Sequence, residues 1–399
     1  MSKQRARIWV GIDAGKGHHW AAVVDETGAT LWSKKIQNDE SAILTALGEI
    51  LGVADEVRWA VDISSRSSAL LLALLAAHGQ QAVYVPGRTV NRMAGAYRGE
   101  AKTDARDAYV IAETARHRRD FATLDVPAQL AADLALLTAH RTDLVTDRVR
   151  TVNRLRDVFA GMFPALERAF DYSARKGALV LLTGYQTPAA LRRRGLARLT
   201  AWLVNRGVRN ADTMAAAAVE AAQAQQTALP GEDAAAQIVA DLATQVLALD
   251  ERLKRIDQQI RDTFRTHPQA EIIESLPGMG PILGAEFVVA AGDMTAYADA
   301  GHLASAAGLV PVPRDSGRRT GNMHRPKRYS RLRRVFYLSA QTSIIGDGPN
   351  REYYLRKRSE GCKHVQAVIA LARRRTSVLW ALLRDNRTFA PIPPTTQAA

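Results

Sequence analysis

The sequence predicts an α/β layered domain followed by an all-α remainder. Three observations carry that prediction. Up to His117, short apolar strand patterns alternate with helical patterns. Two long apolar stripes at three- and four-residue steps follow, at 130–163 and 238–264. Beyond Pro268 the pattern is helical again, broken by Pro- and Gly-rich loops and strongly basic. At 399 residues the chain is long enough for about two to three domains.

Residues 7–13 (RIWVGID) form an apolar run ending on Asp13. Strand patterns at 19–25 and 30–36 follow, joined by Glu26-Thr27-Gly28-Ala29, where Gly28 can supply the positive φ of a turn. These three read as a meander. Residues 41–51 have helical spacing. A fourth strand at 57–63, a helix at 68–78 and a fifth strand at 81–85 come next, the last stopped by Pro86-Gly87. Thr103 then caps a helix running to His117. The order βββαβαβα is that of a layered α/β domain.

The stripes at 130–163 and 238–264 suit packing of helix on helix. They read either as an antiparallel coiled-coil arm between two globular domains or as two core helices of one helical domain. Helical segments lie between them near 174–209, and Pro230-Gly231 breaks the Ala/Gln-rich stretch that follows. Residues 272–291 read as helix, Pro277-Gly278-Met279-Gly280-Pro281 hairpin, helix. Basic helices are expected at 330–343 and 363–384. The expected boundaries are 1–125, 126–268, 269–390 and a disordered tail at 391–399.

Lys and Arg total 54 and Asp and Glu 40, a net charge of +14. Residues 311–390 hold 19 basic and 5 acidic side chains, and the remainder holds 35 of each. A balanced body with a basic C-terminal fifth fits a polyanion partner, nucleic acid first. The competing reading is a solubilising surface. Within this fifth, Arg373-Arg374-Arg375 reads as a phosphate-contacting run. The single cysteine, Cys362, excludes a disulfide scaffold or a Cys-based zinc module and fits a reducing cytoplasm. No apolar run reaches the length of a membrane span, and no signal-peptide core is expected at the N-terminus.

Four aspartates stand where carboxylates can converge. Asp13 and Asp62 end strands, and Asp104 and Asp107 lie three apart at the start of a helix. Oxygen ligands of that kind hold Mg²⁺, and two such ions about 3.5–4 Å apart serve phosphoryl transfer. Taken singly, each has a plainer role as a turn former or a helix-dipole partner. His18 and His19, beside Asp13, could be metal ligands, but adjacent residues on a strand point to opposite faces. Gly11-Ile12-Asp13-Ala14-Gly15-Lys16 is similar to the first phosphate loop of actin-like ATPases, but no second Asp-Gly loop follows. In the 276–281 hairpin, Gly278 and Gly280 let backbone N–H groups approach a phosphate; a structural tight turn is the alternative. Ser316 lies between Arg314 and Arg318-Arg319, so a hydroxyl there can act as a nucleophile among phosphate-binding guanidinium groups. Arg325, Lys327 and Arg328 extend that basic loop.

These motifs follow one another as in the DEDD insertion-sequence transposases, a family that includes pilin-gene invertases and bridge-RNA-guided recombinases. The resemblance rests on Gly11-Ile12-Asp13, Val61-Asp62, the 101–108 segment AKTDARDA, the 276–281 hairpin, the 307–311 segment AGLVP and Ser316-Gly317. It spans roughly residues 7–345. It implies a ribonuclease-H-like (RuvC-like) domain, a coiled-coil arm and a C-terminal transposase domain. It further implies a composite site in which Asp13, Asp62, Asp104 and Asp107 hold Mg²⁺ or Mn²⁺ and Ser316 is the nucleophile. Donor and target DNA, a non-coding guide RNA and a homo-oligomer, dimer or tetramer, are the implied partners, in a prokaryotic cytoplasm beside the nucleoid. Two departures stand out. Asp62 occupies a position that is usually Glu, and Gly321-Asn322-Met323-His324-Arg325 replaces the usual Gly-x-x-Lys. Two rival readings share the features: a junction nuclease using the same carboxylates with water, and a non-catalytic nucleic-acid-binding protein.

Overall fold

The computed structural model describes residues 7–62, 66–95, 103–124, 129–313, 322–323 and 331–390. The chain divides into two compact units, residues 1–128 and 129–399.

The first unit is built on one six-stranded sheet. Its strands are β1 (Arg7–Ala14), β2 (His18–Val24), β3 (Thr30–Gln37), β4 (Glu56–Val61), β5 (Ala82–Tyr84) and β6 (Thr123–Leu124), in the order β3-β2-β1-β4-β5-β6. The meander β1-β2-β3 is antiparallel, β4 and β5 run parallel to β1, and β6 closes antiparallel on β5. Period-two alternation along β1 divides its side chains between two cores. Ile8, Val10, Ile12 and Ala14 pack with helices α1 (Glu40–Leu51) and α2 (Ala69–Ala77). Trp9 packs on the other face with α3 (Gly87–Ala94) and α4 (Asp104–His117). Helix α3 and strand β6 were not in the sequence-based order. The first buries only Val90, and the second is two residues long.

Gly11 explains how α4 sits. A Cβ there would lie 2.1 Å from the Ala108 carbonyl oxygen and 2.3 Å from the Ala112 nitrogen. Only a glycine lets helix backbone rest directly on strand backbone at this point. Thr103 caps α4 as expected, its hydroxyl accepting from the Arg106 N–H at 3.3 Å.

The second unit is helical. Helices α5 (Gln129–Met162) and α11 (Glu232–Arg265) run antiparallel, as two ion pairs show. Arg141 Nε lies 2.6 Å from Asp257 Oδ1, and Arg148 Nε 2.5 Å from Asp250 Oδ1. Between the long helices come α6 (Pro164–Ala169), α7 (Lys176–Leu182), α8 (Pro188–Arg194), α9 (Leu196–Val204) and α10 (Ala211–Gln223). After them come α12 (Ala270–Ser275), α13 (Pro281–Ala291), α14 (Ala300–Ala306), α15 (Arg331–Ser343), α16 (Pro349–Ser359) and α17 (His364–Arg384). Strands β7 (Val312–Pro313) and β8 (Asn322–Met323) pair antiparallel.

Each long helix serves two cores. Val152, Leu155 and Phe159 of α5 and Val239, Leu242 and Val246 of α11 join α6–α10 in an insert core. Leu134, Leu144, Ile256, Ile260 and Phe264 join α12–α17 in a C-terminal core. The stripes read from the sequence are therefore real helices, and they form one compact unit with the helices at both ends. Among the described residues no helix is long and apolar enough to cross a membrane.

Candidate active site

The parallel pairing of β1 with β4 brings two strand ends together. Ile12 faces Val61, and the Asp62 N–H donates to the Ile12 carbonyl at 3.4 Å. Asp13 is on the same face of β1 as Gly11, and Asp62 follows Ala60 on the same face of β4. That is the face α4 covers, since Ala60 packs in its core. Gly11 meets Ala108, so the first turn of α4, with Asp104 and Asp107, lies toward the Asp13 end of β1. The fold thus gathers the four sequence-predicted aspartates at one end of one sheet.

Their electrostatics differ. Asp62 is half-buried, and its Oδ1 accepts from the Ala14 N–H at 3.3 Å. Burial holds its pKa above the ordinary carboxylate value. The negative charge of Asp107 pushes the same way, while the Ala14 N–H opposes both. Asp104 is exposed, and its Oδ2 lies 3.2 Å from His18 Nε2. His18 and His19 do point to opposite faces. His19 is fully buried, hydrogen-bonds Asn38 Oδ1 at 3.1 Å, and has its pKa lowered chiefly by burial. Among the described residues no three carboxylate, imidazole or thiol groups form a ready-made metal cage. The donor set is nonetheless all carboxylate oxygen, the chemistry Mg²⁺ and Mn²⁺ prefer.

His18 touches the aspartate set, a placement the sequence reading did not anticipate. Its contact with Asp104 spans 86 positions, and nothing local announces it. A second anchor of α4 is Arg106, whose Nη2 donates to the Ala94 carbonyl at 3.0 Å.

In the second unit, Leu276–Met279 forms a β-turn closed by the Met279 N–H on the Leu276 carbonyl at 2.9 Å. Gly278 has φ +79°, as the third residue of a type II turn requires. A Cβ on it would also lie 2.6 Å from the Ser339 carbonyl oxygen. Packing of the turn on α15 thus accounts for this glycine. Gly280 has open space around it and precedes α13.

Arg375 corrects the reading of the basic run. It is 2 % exposed, and its guanidinium donates to the Pro277 carbonyl and, at 2.6 Å, to Ser339 Oγ. It braces the turn from inside, so it is no phosphate contact. Arg374 is exposed over the Tyr353 ring, 4.9 Å from its centroid, and Arg373 donates to Ser377 Oγ at 2.7 Å. Ser316, Arg314, Arg318, Arg319, Arg325, Lys327 and Arg328 lie outside the described residues.

Comparison with known proteins accounts for both units. A DEDD family of the IS110 type, described as Transposase, matches residues 10–164, and one described as Transposase IS116/IS110/IS902 family matches residues 270–355. The chain is 66 % identical over 400 residues to an uncharacterized 44.8 kDa protein of insertion element IS116 from Streptomyces clavuligerus, covering the whole of both. It is 51 % identical over 395 residues to an uncharacterized 42 kDa protein of insertion element IS900 from Mycobacterium paratuberculosis, covering 98 % of this chain and 99 % of that one. A pilin gene-inverting protein of Moraxella bovis is 27 % identical over 147 residues, 34 % of this chain and 45 % of that one. Whole-length identity of this order, with both family matches in sequence, makes the chain a member of the IS116/IS110/IS902 family of insertion-element transposases.

Proposed function

We propose that the chain recombines DNA through a Ser316 nucleophile and a divalent cation held by Asp13, Asp62, Asp104 and Asp107. The observation that carries this reading is the gathering of the four aspartates at one sheet end, fixed by the close approach of α4 to Gly11. The strand order, a three-strand antiparallel meander extended by parallel β4 and β5, supports a ribonuclease-H-like (RuvC-like) first domain. Asp13, Asp62, Asp104 and Asp107 would hold the cation, which when bound would supply Lewis-acid polarisation of the scissile phosphodiester. To join the set, Asp104 must exchange its His18 contact for the cation.

Ser316 Oγ attacks the phosphorus. An Oγ–P bond forms as the P–O bond to one strand end breaks. The serine proton passes to a carboxylate of the Asp set, and the departing deoxyribose oxygen takes up a proton from water. One phosphoester bond replaces another, so a second strand's hydroxyl can reverse the step and rejoin DNA without ATP. The Asp set and Ser316 belong to different units of the chain. The reaction therefore requires both units on one phosphate, from one subunit or two, and the protein acts as a homo-oligomer holding two DNA sites. A guide RNA chooses those sites.

The test is capture of a covalent protein–DNA adduct in Mg²⁺. Ser316→Ala is expected to lose both adduct and cleavage, and Asp13→Asn to lose cleavage while retaining DNA binding. Mixing Ser316→Ala with Asp104→Ala protein restores partial activity when the site is shared between subunits. Nicking by Ser316→Ala at the same position, leaving a free phosphate end, would replace this reading with a junction nuclease using water.

A further inference from the structure

The charge balance outside residues 311–390 conceals a local imbalance. Residues 172–211 contain eight Lys and Arg side chains and no Asp or Glu. They build α7–α9 and lead into α10, between the stretches matched by the two transposase families. Six of the eight are exposed. The other two serve the fold: Arg192 Nη1 donates to the Ala222 carbonyl at 2.6 Å, and Arg194 lies 5.9 Å from the Tyr185 ring centroid.

Packing concentrates four of the exposed cations. Gly177, near the start of α7, has no room for a Cβ, which would lie 2.7 Å from Val208 and 2.9 Å from Met214. That approach holds the segment carrying Arg175 and Lys176 against the α9–α10 connection carrying Arg206 and Arg209. Together they line a cleft of about 760 Å³ whose walls include no carboxylate. Among the described residues, Lys176 alone of the four has an acidic partner, Glu251 at 3.0 Å. Like charges held this close repel one another, and a polyanion relieves the repulsion.

We propose that this cleft is a DNA-binding surface separate from the catalytic carboxylates and from the basic C-terminal region, gripping the phosphate backbone of duplex DNA. Family membership supplies the polyanion, since a transposase acts on DNA. The aromatic geometry selects duplex over single strand. Tyr185 and Trp202 already stack edge to face at 5.0 Å, and Arg206 covers the Trp202 ring at 3.8 Å. Phe170, the aromatic side chain on the cleft wall, is buried and meets Tyr172 edge to face at 6.4 Å, so it offers no free ring face to an unpaired base, while backbone contacts need only the cations.

The test uses the full chain and a 30-base-pair duplex in metal-free buffer, so binding is read independently of Ser316 and the Asp set. Arg175→Gln/Arg206→Gln/Arg209→Gln should weaken binding roughly tenfold or more near physiological salt. It should also flatten the dependence of log affinity on log salt by about 2–3, given ~0.9 per phosphate contact. Hydrogen exchange on the unmodified protein should show residues 173–177 and 205–210 protected by the duplex, whether or not the triple variant folds. An unchanged salt slope, absence of that protection, or a loss of affinity confined to a structured RNA of equal length would overturn the proposal.

Discussion

The two ends of the α5–α11 pair do similar mechanical work by different means. At the insert end, among the described residues, no fully buried side chain is charged: Phe159 meets Phe163 and Tyr172 edge to face at 5.8 and 5.9 Å, and the Tyr172 hydroxyl donates to the Leu166 carbonyl at 2.8 Å. At the C-terminal end the core encloses a guanidinium. Arg375 is buried without a carboxylate, burial lowers its pKa to about 10, and its Nε and Nη1 have no hydrogen-bond partner. The insert end resembles an ordinary core. The C-terminal end accepts a costly buried charge in return for fixing the Leu276–Met279 turn. Among the described residues the fully buried guanidinium thus lies beside a motif with a positional task, and the insert has none.

The largest effect expected from breaking this contrast is Phe159→Ala. It should cost about 3–5 kcal/mol by urea unfolding, with hydrogen-exchange protection falling first in α6–α10. An equal fall in α12–α17 would mean that the two ends melt as one and the contrast is only compositional. Arg375→Ala comes next. It leaves a cavity and strips two acceptors of their donor, for a loss of ~2–4 kcal/mol. Protection should fall around residues 276–279, and Arg375→Lys should recover part of it. A thermal midpoint unmoved by Arg375→Ala would remove the bracing role.

The smallest effect is titration at His267, just beyond α11. Burial lowers its pKa below the ordinary 6.5, and its Nδ1 accepts from the Gln269 N–H at 3.2 Å. The folded state therefore favours the neutral ring. Its contribution is present above the unfolded value and is lost as pH falls below it. Thermal midpoints from pH 8 to 5 should decline more for the native chain than for His267→Gln, with the added opening located at α12. Parallel profiles for the two proteins would show that this imidazole does not couple to stability.

Much of the fold was legible because buried faces repeat. The alternation along β1 and the apolar steps of α5 and α11 are local patterns that packing later uses. Helix α16 escaped notice because it buries no residue and is held through Tyr353 and Tyr354 against its neighbours. The four aspartates were legible as strand ends and a helix start. Their meeting was not, since it depends on Gly11 receiving Ala108 from 97 positions away. Charge counts misled in two places. Arg375 reads like its neighbours but faces inward, and the 172–211 surplus vanished into a balanced total. Counting records how many cations there are, whereas burial and local acids decide which of them reach a phosphate.

The paired carboxylates and guanidiniums along α5 and α11 also act as a ruler. Residue numbers facing one another across the pair, 141 with 257 and 148 with 250, have a constant sum. An insertion in one helix alone would therefore shift every rung beyond it and split the two cores out of phase. Matched insertions of seven residues in both helices would keep the rungs. They would carry the insert outward by about 10.5 Å at ~1.5 Å per residue, with a rotation of only ~20°. The reach of the basic cleft is in this sense a discrete quantity, adjustable in heptad steps and intolerant of anything between.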